Sequence, residues 1–214
     1  MGQRLARDLQ AQSGRSQSHG PRVLALTSSA DKLPQLRALG ITPLLGNLDD
    51  VRSLRRLCGV AQHVVHLAPP PGAGVQDSRT RNLVRALGRG RAPRTLVYGS
   101  TTGVYGNCHG AWVEEGRPVQ PATDRARRRV DAEQQLRAWG QRSGARVSVL
   151  RIPGIYAPDR EGGTPRPRLL KGLPVLQHED DVFTNHIHAD DLARICCAAL
   201  WRGRSSAWMW LVNT

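Results

Sequence analysis

The chain has 214 residues, a formal net charge of +14 and 39% hydrophobic residues. This length and apolar content suffice for one domain with a sizeable core, and they exclude a largely disordered chain. No run approaches the ~18 consecutive apolar residues of a membrane-spanning helix, and residues 1–20 lack the apolar stretch of a secretory signal. Four scattered cysteines without CxxC spacing predict reduced thiols and a cytoplasmic location.

Short apolar runs alternate with stretches of helical periodicity along the chain. Strands are predicted at residues 22–26, 41–45, 63–68, 95–99, 146–152 and 208–212. Helices are predicted at residues 31–39, 51–57, 78–87, 123–139 and 189–201. Loops are predicted at residues 13–20 and 161–167, which are rich in glycine, serine or proline.

Strands that alternate with helices predict βαβ units. Right-handed crossovers between such units give an α/β fold with a doubly wound, Rossmann-type parallel sheet and helices on both faces. No internal repeat is visible, so residues 1–214 are interpreted as a single domain. In such sheets ligands bind where the strands end, and the informative residues of this sequence follow the strands.

The run YGSTTGVYG at residues 98–106 resembles the strand-end signature of extended short-chain dehydrogenases/reductases, the NAD-dependent epimerase/dehydratase family. Four further segments resemble the family in the same order: HLA at 66–68, RRRVDAE at 127–133, RIPGIYAP at 151–158 and NHIHADDLA at 185–193. Each motif is weak alone, but five in register are strong, and the resemblance as a whole covers roughly residues 2–213. The resemblance is to an atypical bacterial subgroup. It implies NAD or NADP as cofactor and oxidoreductase-type chemistry on a nucleotide sugar or a similar small substrate.

The family's reaction uses a hydroxyl residue, a tyrosine and a lysine, and the resemblance assigns these positions to Thr101, Arg125 and Arg129. Arginine stays protonated at physiological pH, so the usual proton relay should fail and turnover should be impaired. Arg129 can still donate hydrogen bonds to a ribose, and Arg125 can bind an anionic group. Thr102 and Tyr105 are expected to line the substrate site. Two alternatives stay open: residues 125–129 form a solvated basic helix start, and Thr101 caps its own turn.

The resemblance also implies cofactor-binding residues at the strand ends and in the loop over the nicotinamide. They are Gly2, Thr27, Ser28, Asn47, Leu48, Leu67, Ala68, Pro69, Ser100, Pro153, Gly154 and Ile155. No acid follows Thr27 directly, which weakens a preference for NAD and leaves NADP open. Gly2 matches the last glycine of the family's GxGxxG turn. We therefore expect the first strand and two earlier glycines to be missing, through a late start codon or a lost phosphate cradle, and the C-terminal substrate lobe to be largely absent.

Other functions fit the sequence less well. His186 and His188 would share one face of a strand, but no third ligand completes a site, so no metal is predicted. A catalytically inactive regulator on the same fold, binding a nucleotide or a partner, is the main alternative. Non-specific attraction to nucleic acid is the weaker one, since the charge supports it but no nucleic-acid-binding motif appears. We expect a small-molecule substrate and no membrane, with an oligomer left open.

Overall fold

The computed structural model describes residues 1–13, 21–160, 162–202 and 208–209, which contain strands and helices in alternation. The strands are Leu24–Thr27 (β1), Thr42–Leu45 (β2), His63–His66 (β3), Thr95–Thr101 (β4), Arg146–Ile152 (β5), Gly154–Tyr156 (β6), His186–His188 (β7) and Trp208–Met209 (β8). The α-helices are Gly2–Ser13 (α1), Lys32–Ala38 (α2), Ser78–Leu87 (α3), Asp124–Ser143 (α4), Arg166–Leu170 (α5) and Ala189–Arg202 (α6). Short 3₁₀ helices lie at Ser53–Leu57, Thr102–Tyr105 and His178–Asp180.

All strand pairs in the described residues are parallel. The largest sheet has the order β3-β4-β5-β8, and its register sets His63 beside Thr95 and Thr95 beside Arg146. β1 pairs with β2, and β6 pairs with β7, in two smaller sheets. Parallel strands joined by crossover helices are the α/β, Rossmann-type class that the sequence predicts, and that prediction is confirmed.

Two clusters of buried side chains cover the two faces of the main sheet. On one face, Leu136 and Trp139 of α4 and the apolar side of α3 pack against Leu96 and Tyr98 of β4. On the other face, α1 and α6 pack against Val97 and Leu150. Successive side chains of a strand point to opposite faces, so β4 contributes to both clusters in alternation. A sheet covered on both sides in this way is doubly wound.

The β1–β2 pair lies apart from the main sheet in its hydrogen bonding. Leu26 and Leu44 pack against the same cluster as Val64 of β3, so the pair faces the same helical layer. Yet no described strand pairs with the edge of β1 away from β2 or with the edge of β3 away from β4. All four residues of β1 are half-buried, whereas nearly all of β4 is buried. The strand order that the resemblance implies would put one further strand between β1 and β3.

Some predicted boundaries differ from those observed. Helix α4 continues beyond residue 139 and ends before Gly144, whose left-handed φ of 72° stops the helix. Only Ser53–Leu57 of the predicted 51–57 helix is helical, as a 3₁₀ turn. The predicted 161–167 loop is wrong at its end, because Arg166 begins α5. Residues 14–20, 161 and 210–212 lie outside the described residues, and β6 and β7 were not among the predicted strands.

Candidate functional site

A cavity of about 450 Å³ lies at the carboxyl ends of β4 and β5, beside the start of α4. Its lining comes from the segment after β3, the end of β4, the first turns of α4 and the loop after β5. The described lining residues are Met1, Leu67, Gly99, Ser100, Thr101, Thr102, Gly103, Thr123, Arg125, Ala126, Arg129, Ile152, Pro153, Gly154, Ile155, Arg160 and Leu192. This is the edge where parallel α/β sheets bind ligands.

The turn after β4 brings Thr101 to the cavity. Thr101 is half-buried, and its hydroxyl oxygen accepts a hydrogen bond from the Gly103 N–H at 3.3 Å, which starts a 3₁₀ turn. That turn ends at Gly106, where φ is 69° and a Cβ would lie 2.4 Å from the Gln120 carbonyl oxygen, so only glycine fits. Thr101 therefore caps its own turn and lines the cavity at once. Its hydroxyl hydrogen stays available to a ligand.

Arg129 is a fixed part of the cavity wall. It is 8% exposed, and its Nη1 donates to the Gly99 carbonyl oxygen at 2.8 Å and to the Tyr98 hydroxyl at 3.0 Å. The guanidinium also lies 5.6 Å from the centre of the Tyr98 ring, a cation–π contact. Its Nε is buried without a hydrogen-bond partner in the described residues. Arg129 thus holds the strand end, and its protonated guanidinium cannot accept a proton.

Arg125 lies one helical turn before Arg129 and behaves differently. It is exposed, lines the cavity, and has no hydrogen-bond or ion-pair partner among the residues that the structure describes. Nearby, the exposed Arg127 pairs with Asp124, while Arg128 is 7% exposed and donates to the Gly74 carbonyl oxygen. A solvated basic helix start therefore describes the exposed Arg125 and Arg127, and it is wrong for the buried Arg128 and Arg129.

A buried cluster of charged side chains contacts the cavity-lining residue Ser100. This cluster was not predicted from the sequence. Glu133 is 1% exposed and accepts hydrogen bonds from the Ser100 Oγ at 2.5 Å, from the Arg151 Nη2 at 2.9 Å and from the Arg137 Nη2 at 3.3 Å. Arg151, 3% exposed, also donates to the Tyr105 hydroxyl. Burial lowers the pKa of Arg151, but its bonds to Glu133 and Tyr105 outweigh burial and leave the pKa raised. The cluster ties β4, β5, α4 and the turn after β4 together.

A second buried polar group lies at the end of β3. His66 Nε2 is 2.9 Å from the Thr80 hydroxyl, which in turn donates to Asp77 Oδ2 at 3.0 Å. Because the hydroxyl gives its hydrogen to Asp77, it accepts one from Nε2–H of a neutral His66. Burial, with a smaller contribution from the Arg129 charge, lowers the pKa of His66 to about 4. His66 is therefore a neutral structural residue at pH 7, although it directly precedes the cavity residue Leu67.

The structure brings together some of the sequence-predicted site residues. Those that line the cavity are Thr101, Thr102, Arg125, Arg129, Leu67, Ser100, Pro153, Gly154 and Ile155. Those that do not are Gly2, Thr27, Ser28, Asn47, Leu48, Ala68, Pro69 and Tyr105. Tyr105 is 2% exposed and its hydroxyl contacts Arg151, because the turn after β4 directs it into the interior. The prediction that Tyr105 lines the substrate site therefore does not match its position.

Four of the remaining predicted cofactor residues lie at or just after the ends of β1 and β2, whereas Gly2 begins α1 and Ala68 and Pro69 follow β3. The Thr27 hydroxyl oxygen accepts from the Ser29 N–H at 3.2 Å, and the exposed Asn47 Oδ1 accepts from the Asp49 N–H at 2.9 Å. The Leu48 carbonyl oxygen accepts from Asn82. The Thr27 hydroxyl in turn donates to the Ser29 carbonyl oxygen at 3.4 Å, so these are local turn contacts that use both its donor and its acceptor. The contact of Asn47 uses only Oδ1 of its side-chain amide and leaves the NH₂ donors to a ligand.

Of the two histidines that the sequence sets on one strand, His188 contacts the start of α6 and a neighbouring ring. Within the described ranges, no three His, Cys, Asp or Glu side chains group closely enough to hold a metal ion. His188 instead accepts from the Asp190 N–H at 3.3 Å, and its ring meets that of Tyr156 edge-on at 5.2 Å. None of the described helices combines the length and the apolar character needed to cross a bilayer.

Comparison with known proteins gives a consistent assignment. A model of the NAD dependent epimerase/dehydratase family matches residues 1–208. No curated protein matches the chain.

Solved structures with the same fold cover almost the whole chain. A conserved protein of unknown function from Silicibacter pomeroyi is 29% identical, with a TM-score of 0.71, and the match covers 99% of this chain and 68% of that one. The UDP-glucose 4-epimerase of Thermus thermophilus, solved with NAD, is 23% identical, with a TM-score of 0.75 and coverage of 99% and 74%. A dTDP-glucose 4,6-dehydratase from Streptomyces venezuelae is 23% identical, with a TM-score of 0.77 and coverage of 96% and 70%.

Proposed function

This chain belongs to the NAD-dependent epimerase/dehydratase family, and we propose that it binds NAD or NADP at the carboxyl ends of its strands. A small substrate, such as a nucleotide sugar, lies beside the cofactor, and hydride-transfer turnover is impaired. The observation that supports this proposal most directly is the cavity that joins Thr101, Arg125 and Arg129 at the end of β4. These are the hydroxyl, tyrosine and lysine positions of the family's reaction.

The residues around the cavity fit a nicotinamide cofactor. Leu67, Ile152 and Ile155 give apolar wall, while the hydroxyls of Thr101 and Thr102 offer hydrogen-bond donors. The described lining contains arginines but no aspartate or glutamate, and such a donor set suits a phosphate-bearing anion. Bound NAD would supply a hydride acceptor at this edge.

The side chains present can bind and orient, but they lack the proton acceptor that the family's reaction uses. Thr101 can donate its hydroxyl hydrogen to a substrate oxygen. Arg129 is held by the Gly99 carbonyl and the Tyr98 hydroxyl, so it stabilises the strand end and presents positive charge to the cavity. The resemblance assigns the tyrosine position to Arg125, but a guanidinium stays protonated at physiological pH and does not take a proton from a substrate hydroxyl.

Cofactor choice follows from the end of β1. Thr27 leads into Ser28 and Ser29, so a ribose 2′-hydroxyl would meet hydroxyl groups there rather than a carboxylate. A carboxylate at that position would repel a 2′-phosphate, and its absence from residues 27–29 leaves NADP acceptable. We therefore expect NAD and NADP to bind with similar affinity.

The test is isothermal titration of the full chain with NAD and with NADP. Saturable binding of either cofactor, weakened by substitution of a half-buried lining residue such as Thr102→Trp, supports the proposal. Gly116→Trp is the matched control, because Gly116 has no neighbouring atoms to displace and is not among the described lining residues. Absence of binding by both cofactors at millimolar concentration would refute the proposal.

A catalytically inactive regulator is the second candidate, and the hydrogen bonds of Arg129 favour it. A guanidinium that donates to a backbone carbonyl and a buried hydroxyl stabilises the strand end and does not serve as part of a proton relay. The double variant Arg125→Tyr, Arg129→Lys distinguishes the two candidates. Reduction of NAD in the presence of nucleotide sugars by that variant would indicate an enzyme that has lost only its relay. Unaltered cofactor binding without turnover would favour the regulator.

A further inference from the structure

The charge of the cavity is one-sided. Arg125, Arg129 and Arg160 line it, and no carboxylate is among its described lining residues. Two acids that adjoin lining segments, Asp159 and Asp190, are both paired with Arg4. Asp159 is thus engaged elsewhere although it directly precedes Arg160. Three guanidinium groups therefore share one cavity without an anionic side chain among its described lining residues.

The three arginines differ in how far their hydrogen-bonding capacity is used. Arg129 donates to groups of its neighbouring strand, as described above. Arg160 donates one nitrogen to the Ile155 carbonyl oxygen at 2.6 Å and has no ion pair in the part of the chain that the structure describes. Arg125 has no partner there at all. Each guanidinium offers five N–H donors in a planar fork that matches a carboxylate or a phosphate. Most of this capacity is therefore free on Arg125 and Arg160.

Hydroxyl groups add neutral donors to the same space. The Thr101 oxygen accepts a hydrogen bond from the Gly103 N–H, and the hydroxyl hydrogen remains available to a ligand. Thr102 lines the cavity beside it and is half-buried. Like charges that converge without a counter-ion repel one another, and an oxyanion among them would offset this repulsion while filling the free donors.

We propose that the cavity is an oxyanion site, in which Arg125 and Arg160 bind the carboxylate or phosphate group of the substrate at its reacting end. This inference deepens the proposed function, since it names the chemical class of that substrate. Binding of the anion itself does not require the cofactor. Arg125, which has the tyrosine position of the relay, would then select the ligand and not move its protons.

The test uses the full chain and two probes, inorganic phosphate and malonate, titrated calorimetrically at constant ionic strength. Arg125→Gln should weaken binding of at least one probe about tenfold, the scale of one hydrogen bond to a charged group. Arg55→Gln is the matched control. Arg55 is exposed on the Ser53–Leu57 turn and outside the cavity lining, so it changes the net charge equally and should leave the affinity unaltered. Equal loss in both variants, or no saturable binding of either probe, overturns the proposal.

A second arm separates the substrate's anion from the phosphates of the cofactor. The probes are titrated again in the presence of saturating NAD. Unchanged or tighter probe binding assigns the site to the substrate, whereas competition assigns it to the cofactor and overturns the proposal. If NAD fails to bind while the probes still bind through Arg125, the proposed cofactor function is wrong and the oxyanion site stands. If NAD binds and the probes do not, the oxyanion site is wrong and the proposed cofactor binding stands.

Discussion

The buried carboxylate of Glu133 should be the most sensitive position beneath the cavity. Glu133→Gln keeps the shape of the side chain but removes the charge that compensates Arg151, and both residues are at most 3% exposed. The new amide NH₂ would also face the donors of Ser100, Arg151 or Arg137, where the carboxylate now only accepts. Removing one partner of a buried ion pair costs about 3–5 kcal/mol of unfolding free energy, a large part of the ~5–15 kcal/mol typical of a domain.

The measurement is urea unfolding followed by far-UV circular dichroism, since the chain has five tryptophans and its fluorescence does not report on one site. Glu114→Gln is the control, since it makes the same chemical change on an exposed residue and should shift the free energy by less than about 0.5 kcal/mol. The double variant Glu133→Met, Arg151→Met should recover part of the loss, because it removes both fully buried charges and takes the Glu133 carboxylate only from the partly exposed Arg137. A loss below about 1 kcal/mol in Glu133→Gln would refute the role given to the cluster.

Three further outcomes are expected. His66 folds with a pKa of about 4, below the ordinary 6.5, so the unfolded chain binds the extra proton and stability falls as the pH drops from about 6.5 to about 4. This contribution is about 3 kcal/mol, and urea midpoints of His66→Gln across that range should lack it. Ellman's reagent should label only the exposed Cys58 and the half-buried Cys108 in the native chain. Cys196 and Cys197 should stay unlabelled, because burial raises the pKa of Cys196 to about 12 and of Cys197 to about 11. Four labelled thiols without denaturant would contradict this. Thr123→Ala removes the cap of α4 and should cost about 1 kcal/mol in thermal unfolding, with the equally exposed Ala122→Ser as a neutral control.

The parallel fold could be predicted because its signal is local and repeated. Apolar runs such as 146–152 and the apolar face of α6 depend only on neighbouring residues, and their alternation fixes the class. Boundaries were less accurate where a turn decides them. α4 continues through Gly140, where the chain packs closely against Val147, and ends before Gly144. The three-residue strands β6 and β7 are too short for a periodicity to indicate.

The candidate site was predicted in part for the same reason. Residues that follow β4 and β5 directly in sequence also meet in space, because parallel strands end at one edge. The partners of Arg129 and the cluster at Glu133 depend on contacts between distant segments, such as Ser100 with Glu133. Glu133 and Arg151 lie in two of the segments that resemble the family, but nothing in one sequence shows that their side chains are buried and paired with each other.

The separation of the β1–β2 pair from the main sheet has a consequence for the local stability of these two strands. Side chains such as Leu26 and Leu44 attach the pair to the rest, and no backbone ladder in the described residues reinforces them. We therefore expect amide protons of β1 and β2 to exchange with solvent through local opening well before those of β4 and β5.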